Sequence, residues 1–145
     1  MSNSNGKNDM QEKGTKLAVW LGCVEGQEPI ALDQKVYSVG RSEGDTIRVS
    51  NQTVSRKHFT LDVREEYIVI QDHNSVLGTT INCQALLPFQ KGVAWEGDLI
   101  IFGLFVLQIV RVPADTVAPR SISLDLPDAL LGEPETELEA LATAG

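Results

Sequence analysis

The sequence predicts an all-β domain of the sandwich or barrel class. Apolar and polar residues alternate in short runs, as in HFTLDV (58–63), where Phe59, Leu61 and Val63 interleave with Thr60 and Asp62. Turn residues separate these runs at the close spacing such folds require. The body of the chain has no stretch of helical period.

The elements follow in order. KLAVWLG (16–22) is a strand. PIALDQKVYSVG (29–40) is apolar on both sides of Asp33–Gln34, as in a turn joining two strands. TIRVS (46–50) follows the turn SEGD. HFTLDV and YIVIQD (67–72) flank the turn REE and make a hairpin. TTIN and QALLPF are short strands around a tight turn, and WEGDLIIFG and LFVLQIVRV close the series. Trp20, Tyr67, Trp95 and Phe102 are expected in or against the core, and Glu65–Glu66 and Glu96/Asp98 in solvated turns.

Three segments result. Residues 1–15 are rich in Asn, Ser, Gly and Lys and read as a disordered arm. Residues 16–112 form the domain. Residues 113–145 hold four of the six prolines and read as a mostly disordered acidic tail. Within the tail, PETELEALATAG has the composition of a short helix with proline at its start.

The net charge of −8 is uneven. The domain has nine Lys/Arg against eleven Asp/Glu, and the tail one against seven. An acidic chain is a poor general binder of nucleic acid, where phosphate neutralisation supplies much of the affinity. It can still hold one phosphate at one basic point. The longest apolar run, LIIFGLFVLQIV (99–110), is shorter than a membrane helix needs, so no membrane partner is expected. No secretory signal is expected from the first fifteen residues, and Cys23 and Cys83 read as reduced thiols. The expected setting is intracellular, with cytoplasm and nucleus not distinguished.

Four motifs occur in sequence: Gly40–Arg41 at a strand end, Ser55 to His58 in a loop entering a strand, Gly78–Thr79 in a later turn, and Gly97–Asp98 before an apolar strand. The first three suit a site for one tetrahedral anion. Arg41 offers a guanidinium fork that matches phosphate geometry. Ser55 offers a hydroxyl and a loop N–H, and Arg56 and Lys57 add positive charge. His58 cannot share the direction of Ser55 across a partly extended segment, so it is expected to turn inward and bond backbone.

On these residues the sequence resembles the forkhead-associated (FHA) domain family. Gly40–Arg41, Ser55 with His58, Gly78–Thr79 with Asn82, and Gly97–Asp98 match its pattern over about residues 16–112. The resemblance implies a β-sandwich of about eleven strands that reads phosphothreonine in partner proteins. It implies that Arg41 and Ser55 contact the phosphate and that Arg56 lines the peptide groove, with Val76, Leu77 and Thr79 on the ligand side. Gly40, His58, Gly78 and Asn82 are implied to be structural. Leu77 stands where the family carries an Asn that bonds the ligand backbone, and Val76 where many members carry a polar residue. A lost neutral hydrogen bond costs about 1 kcal/mol, whereas charge-assisted phosphate bonds contribute roughly 1.5–3 kcal/mol each. The magnitudes favour retuned phosphopeptide binding.

The implied function is a signalling adaptor with no catalytic activity, cofactor or metal, whose partner is a phosphothreonine-containing protein. Thr136, set among acids, is a candidate phosphosite for self-association. The alternative is a phosphate-independent scaffold, favoured by Val76 and Leu77. A Ser55–His58–Asp72 triad lacks a nucleophile elbow. Cys23, His58, His73 and Cys83 lack zinc-ligand spacing. Arg41, Arg48, Arg56 and Lys57 could contact nucleic acid, but the net acidic charge of the chain weighs against it, and no direct nucleic-acid partner is expected.

Overall fold

The computed structural model describes residues 14–22 and 26–125. They form twelve strands: β1 (Thr15–Leu21), β2 (Ile30–Ala31), β3 (Val36–Gly40), β4 (Ile47–Ser50), β5 (Phe59–Val63), β6 (Ile68–Asp72), β7 (Thr79–Ile81), β8 (Gln84–Ala85), β9 (Lys91–Ala94), β10 (Leu99–Phe102), β11 (Phe105–Pro113) and β12 (Ile122–Asp125). One sheet has the order β2-β1-β11-β10-β7-β8 and the other β12-β4-β3-β5-β6-β9. No helix occurs among the described residues.

The core lies between the sheets and follows from the alternation. Leu17, Val19 and Leu21 of β1 meet Leu107 and Ile109 of β11 on one side. Val39, Phe59, Leu61, Ile68 and Ile70 fill the other. Each fully buried aliphatic or aromatic side chain contributes about 1.5–3 kcal/mol over its exposed state. Phe59 and Phe102 meet edge to face with centroids 5.0 Å apart, and the His58 ring sits 5.7 Å from Phe102. The aromatic cluster therefore ends in a histidine at one end of the sandwich.

That end collects the β3–β4 (41–46) and β4–β5 (51–58) loops of the second sheet and the β6–β7 loop (73–78) that leaves it for the first. The β10–β11 turn of the other sheet reaches over to them, with Leu104 N donating to Thr53 Oγ1 at 3.2 Å. Gly103 has φ 59°, and a Cβ there would lie 2.7 Å from Thr53 Oγ1, so this approach needs glycine.

Several expectations are corrected. Lys91–Ala94 is an edge strand against β6, hidden in the sequence because Gly92 interrupts its pattern. β12 lies inside the expected tail and pairs in parallel with β4. Trp95 is half-exposed and meets the Tyr67 ring at a tilt of 51°, with centroids 5.0 Å apart. The arm through residue 13, Cys23, Thr136 and PETELEALATAG lie outside the described residues.

Candidate functional site

The site begins where β3 ends. A Cβ on Gly40 would overlap the Lys57 backbone N and the Asp45 carboxylate, so only glycine admits the two loops this closely. Beyond it, Arg41 N donates to the Ser55 carbonyl at 3.0 Å. Asp45 is buried and joins the same loops: its Oδ2 accepts from Ser42 N at 2.9 Å and Lys57 N at 3.0 Å. Lys57 takes φ 45°, a left-handed conformation uncommon for a side-chain-bearing residue.

His58 is fully buried and turns inward. Ser55 N donates to its Nδ1 at 3.0 Å, and its Nε2 lies 2.8 Å from the Gly78 carbonyl. A backbone N–H can only donate and a carbonyl can only accept, so the ring is the neutral Nε2–H tautomer. Burial lowers the pKa of His58, against the Gly78 carbonyl and Asp72, which raise it. One side chain thus ties the β4–β5 loop to the β6–β7 loop. Gly78 makes the connection with φ 87°.

Ser55 Oγ accepts from Val76 N at 2.9 Å, which leaves its own proton for an outside acceptor. Asp72 is buried beneath this loop. Its Oδ1 accepts from Ser75 Oγ at 2.5 Å and Thr79 Oγ1 at 2.7 Å, and its Oδ2 accepts from Ser75 N at 3.1 Å. Burial alone would raise the pKa of Asp72; the hydrogen bonds from Ser75 and Thr79 outweigh it and lower the pKa. No Ser55–His58–Asp72 relay exists in this arrangement. Both ring nitrogens are committed to backbone, and Asp72 serves the turn.

Cations crown the loops. Arg41 spends its Nε–H on the Val54 carbonyl at 2.9 Å, and Arg48 spends its own on the Arg41 carbonyl at 3.1 Å. Both line a depression of about 440 Å³ with Arg56, Ser42, Ser50 and Glu43. Among the described residues, none of the three guanidinium groups has a carboxylate partner within 4.0 Å. Val76 and Leu77 stand beside the Ser55 hydroxyl at 86% and 61% exposure.

Arg41, Ser55, Arg56, Val76 and Leu77 therefore gather at one end, with Gly40, His58 and Gly78 beneath them. Thr79 is a correction. It is fully buried with its hydroxyl on Asp72, because strand alternation turns it into the sandwich, and it cannot touch a ligand. Asn82 lies apart at the β7–β8 turn, where it clamps Leu99 through both its backbone N–H and its side chain. Sequence reasoning missed Asp45, weighed Arg48 only for nucleic-acid binding and named Asp72 only for a triad. The SEGD turn marked the place of Asp45 but not its burial.

Residues 37–103 match the model of the FHA domain. The chain is 31% identical over 80 residues to nibrin of Danio rerio, a stretch covering 55% of this chain and 10% of nibrin, so it spans about a tenth of that relative. The FHA domain of the CT664 protein of Chlamydia trachomatis superposes with a TM-score of 0.59 at 17% identity, over 66% of this chain and 96% of that one. The Slr1951 protein of Synechocystis sp. gives 0.57 at 27% identity, over 68% and 98%. The N-terminal FHA domain of S. cerevisiae Rad53p, solved with a phosphothreonine peptide, gives 0.55 at 19% identity, over 66% and 92%.

Proposed function

We propose that this chain, whose residues 37–103 match the FHA domain model, is a phosphothreonine-peptide-binding adaptor that engages a phosphorylated partner protein. The observation that carries the reading is the cationic depression of Arg41 and Arg56 beside a serine whose hydroxyl proton is free to donate. Arg41 and Ser55 grip the phosphate, and Arg56 lines the groove. Val76 and Leu77 flank the peptide with aliphatic surface in place of an amide. Gly40, His58 and Gly78 position the loops, and Asn82 holds the β7–β8 turn away from them. Likeness to a domain solved with a phosphothreonine peptide supports this reading.

The alternative is a phosphate-independent scaffold, which the exposed Val76 and Leu77 favour. Titrating the chain with phosphothreonine, phosphoserine and unphosphorylated versions of one peptide library separates the two. Arg41→Ala is expected to weaken phosphothreonine binding roughly ten- to a hundredfold, the worth of one charge-assisted hydrogen bond. Unchanged binding by a variant that still melts cooperatively would overturn the phosphate reading.

A further inference from the structure

The cationic depression does not end at the phosphate. A second depression of about 730 Å³ adjoins it along the β4–β12 edge, lined by Gln34, Glu43, Arg48, Arg120 and Ser123 among others. Arg48 and Glu43 border both. β12 builds the second one: parallel pairing sets Ser123 opposite Arg48, and Arg48 Nη1 donates to Ser123 Oγ at 3.4 Å. Gln34 Nε2 donates to the Arg120 carbonyl at 2.9 Å and pins the start of the strand. Arg48 is thus held from both sides, by the Arg41 carbonyl and by β12, on the ridge between the two depressions.

We propose that the β4–β12 edge is a second anionic subsite. Arg48 and Arg120 there receive an additional negatively charged side chain of the same peptide, a carboxylate or a second phosphate. This rests on the phosphopeptide reading above and adds a specificity that reading does not supply. One phosphate carries a charge of about −1.5 to −2. Arg41 and Arg56 suffice to balance it, so Arg48 and Arg120 remain for another group. Two carboxylates also border this depression, with different effects. Asp45 is buried and spent on two backbone amides, whereas Glu43 is exposed and opposes an incoming anion.

The test is anisotropy titration of the full chain with labelled phosphothreonine peptides. One has neutral flanks; the others carry a single Glu or a second phosphothreonine at successive positions on either side. At one position the acid is expected to tighten binding about tenfold, the worth of one charge-assisted hydrogen bond, and to do so less at high salt. Arg120→Gln and Arg48→Gln are each expected to bring the ratio of acidic to neutral affinity to about one, and Glu43→Gln to raise it. If no position favours acid, or if Arg120→Gln leaves the ratio intact, the second subsite is overturned while the phosphate reading stands. If no phosphorylated peptide binds, both fall. The Glu and phosphothreonine arms identify which anion the subsite takes.

Discussion

A neutral imidazole at the base of the loops makes their geometry depend on pH. Protonated His58 would turn an Nδ1–H toward the Ser55 N–H, setting donor against donor. Its folded pKa is depressed, so its contribution to stability is present above the unfolded value near 6.5 and is lost as pH falls toward the folded value. His73, lowered by burial and by Lys57, shares this window. Asp72 acts only below the ordinary carboxylate value of 3.8. Urea denaturation at pH 7.5 and 5.5 is expected to show a loss of stability that persists in His73→Gln; a flat profile in that variant would count against the His58 brace. The positions of Arg41, Ser55 and His58 were legible because short motifs place them at strand ends. Thr79 was misread because a motif does not say which face of a strand a residue takes. Asp45 stayed hidden because a carboxylate in a Ser-Glu-Gly-Asp turn looks solvated until Gly40 brings a second loop against it.

At the scale of elements, alternation made β1, β3, β5, β6, β10 and β11 readable. The β5–β6 hairpin pairs as its turn implied, with Leu61 opposite Ile70. Lys91–Ala94 lacked that signal, being an edge strand with a glycine inside. The β7–β8 hairpin closes through Asn82 and Cys83, at φ 48° and 70°, between the paired Ile81 and Gln84. Two positive φ values in a two-residue loop mark a type I′ turn, whose second position prefers glycine. Cys83→Gly is therefore expected to stabilise the fold by about 0.5–1 kcal/mol, the relief of left-handed strain less the entropy glycine loses. The check is a higher urea midpoint at unchanged slope.

For the whole molecule, the sandwich was legible but its limit was not, since β12 exists only through its partner. SISLD carries apolar residues at alternate positions like any short strand, but prolines on both sides suggested a linker. Its Ile122 and Leu124 pack on the core from the β4 edge. Ending the chain at residue 118 is expected to leave a folded domain that is less stable by about 1–3 kcal/mol, since each half-buried aliphatic side chain contributes roughly 1 kcal/mol. Thermal melts would check this. An unaltered midpoint would mean that β12 adds nothing to the sandwich.

The direction of β12 has a consequence for tethering. Thr15 pairs with Pro113 at the end of β11 remote from the Gly103–Leu104 turn, so the described chain enters far from the loops of the site. Asp125 lies opposite Ser50, on the rim of the cationic depression. A peptide fused behind Asp125 through a short flexible spacer would meet the site as an intramolecular ligand at an effective concentration on the order of millimolar. The same peptide fused ahead of Thr15 would first have to span the length of the sandwich.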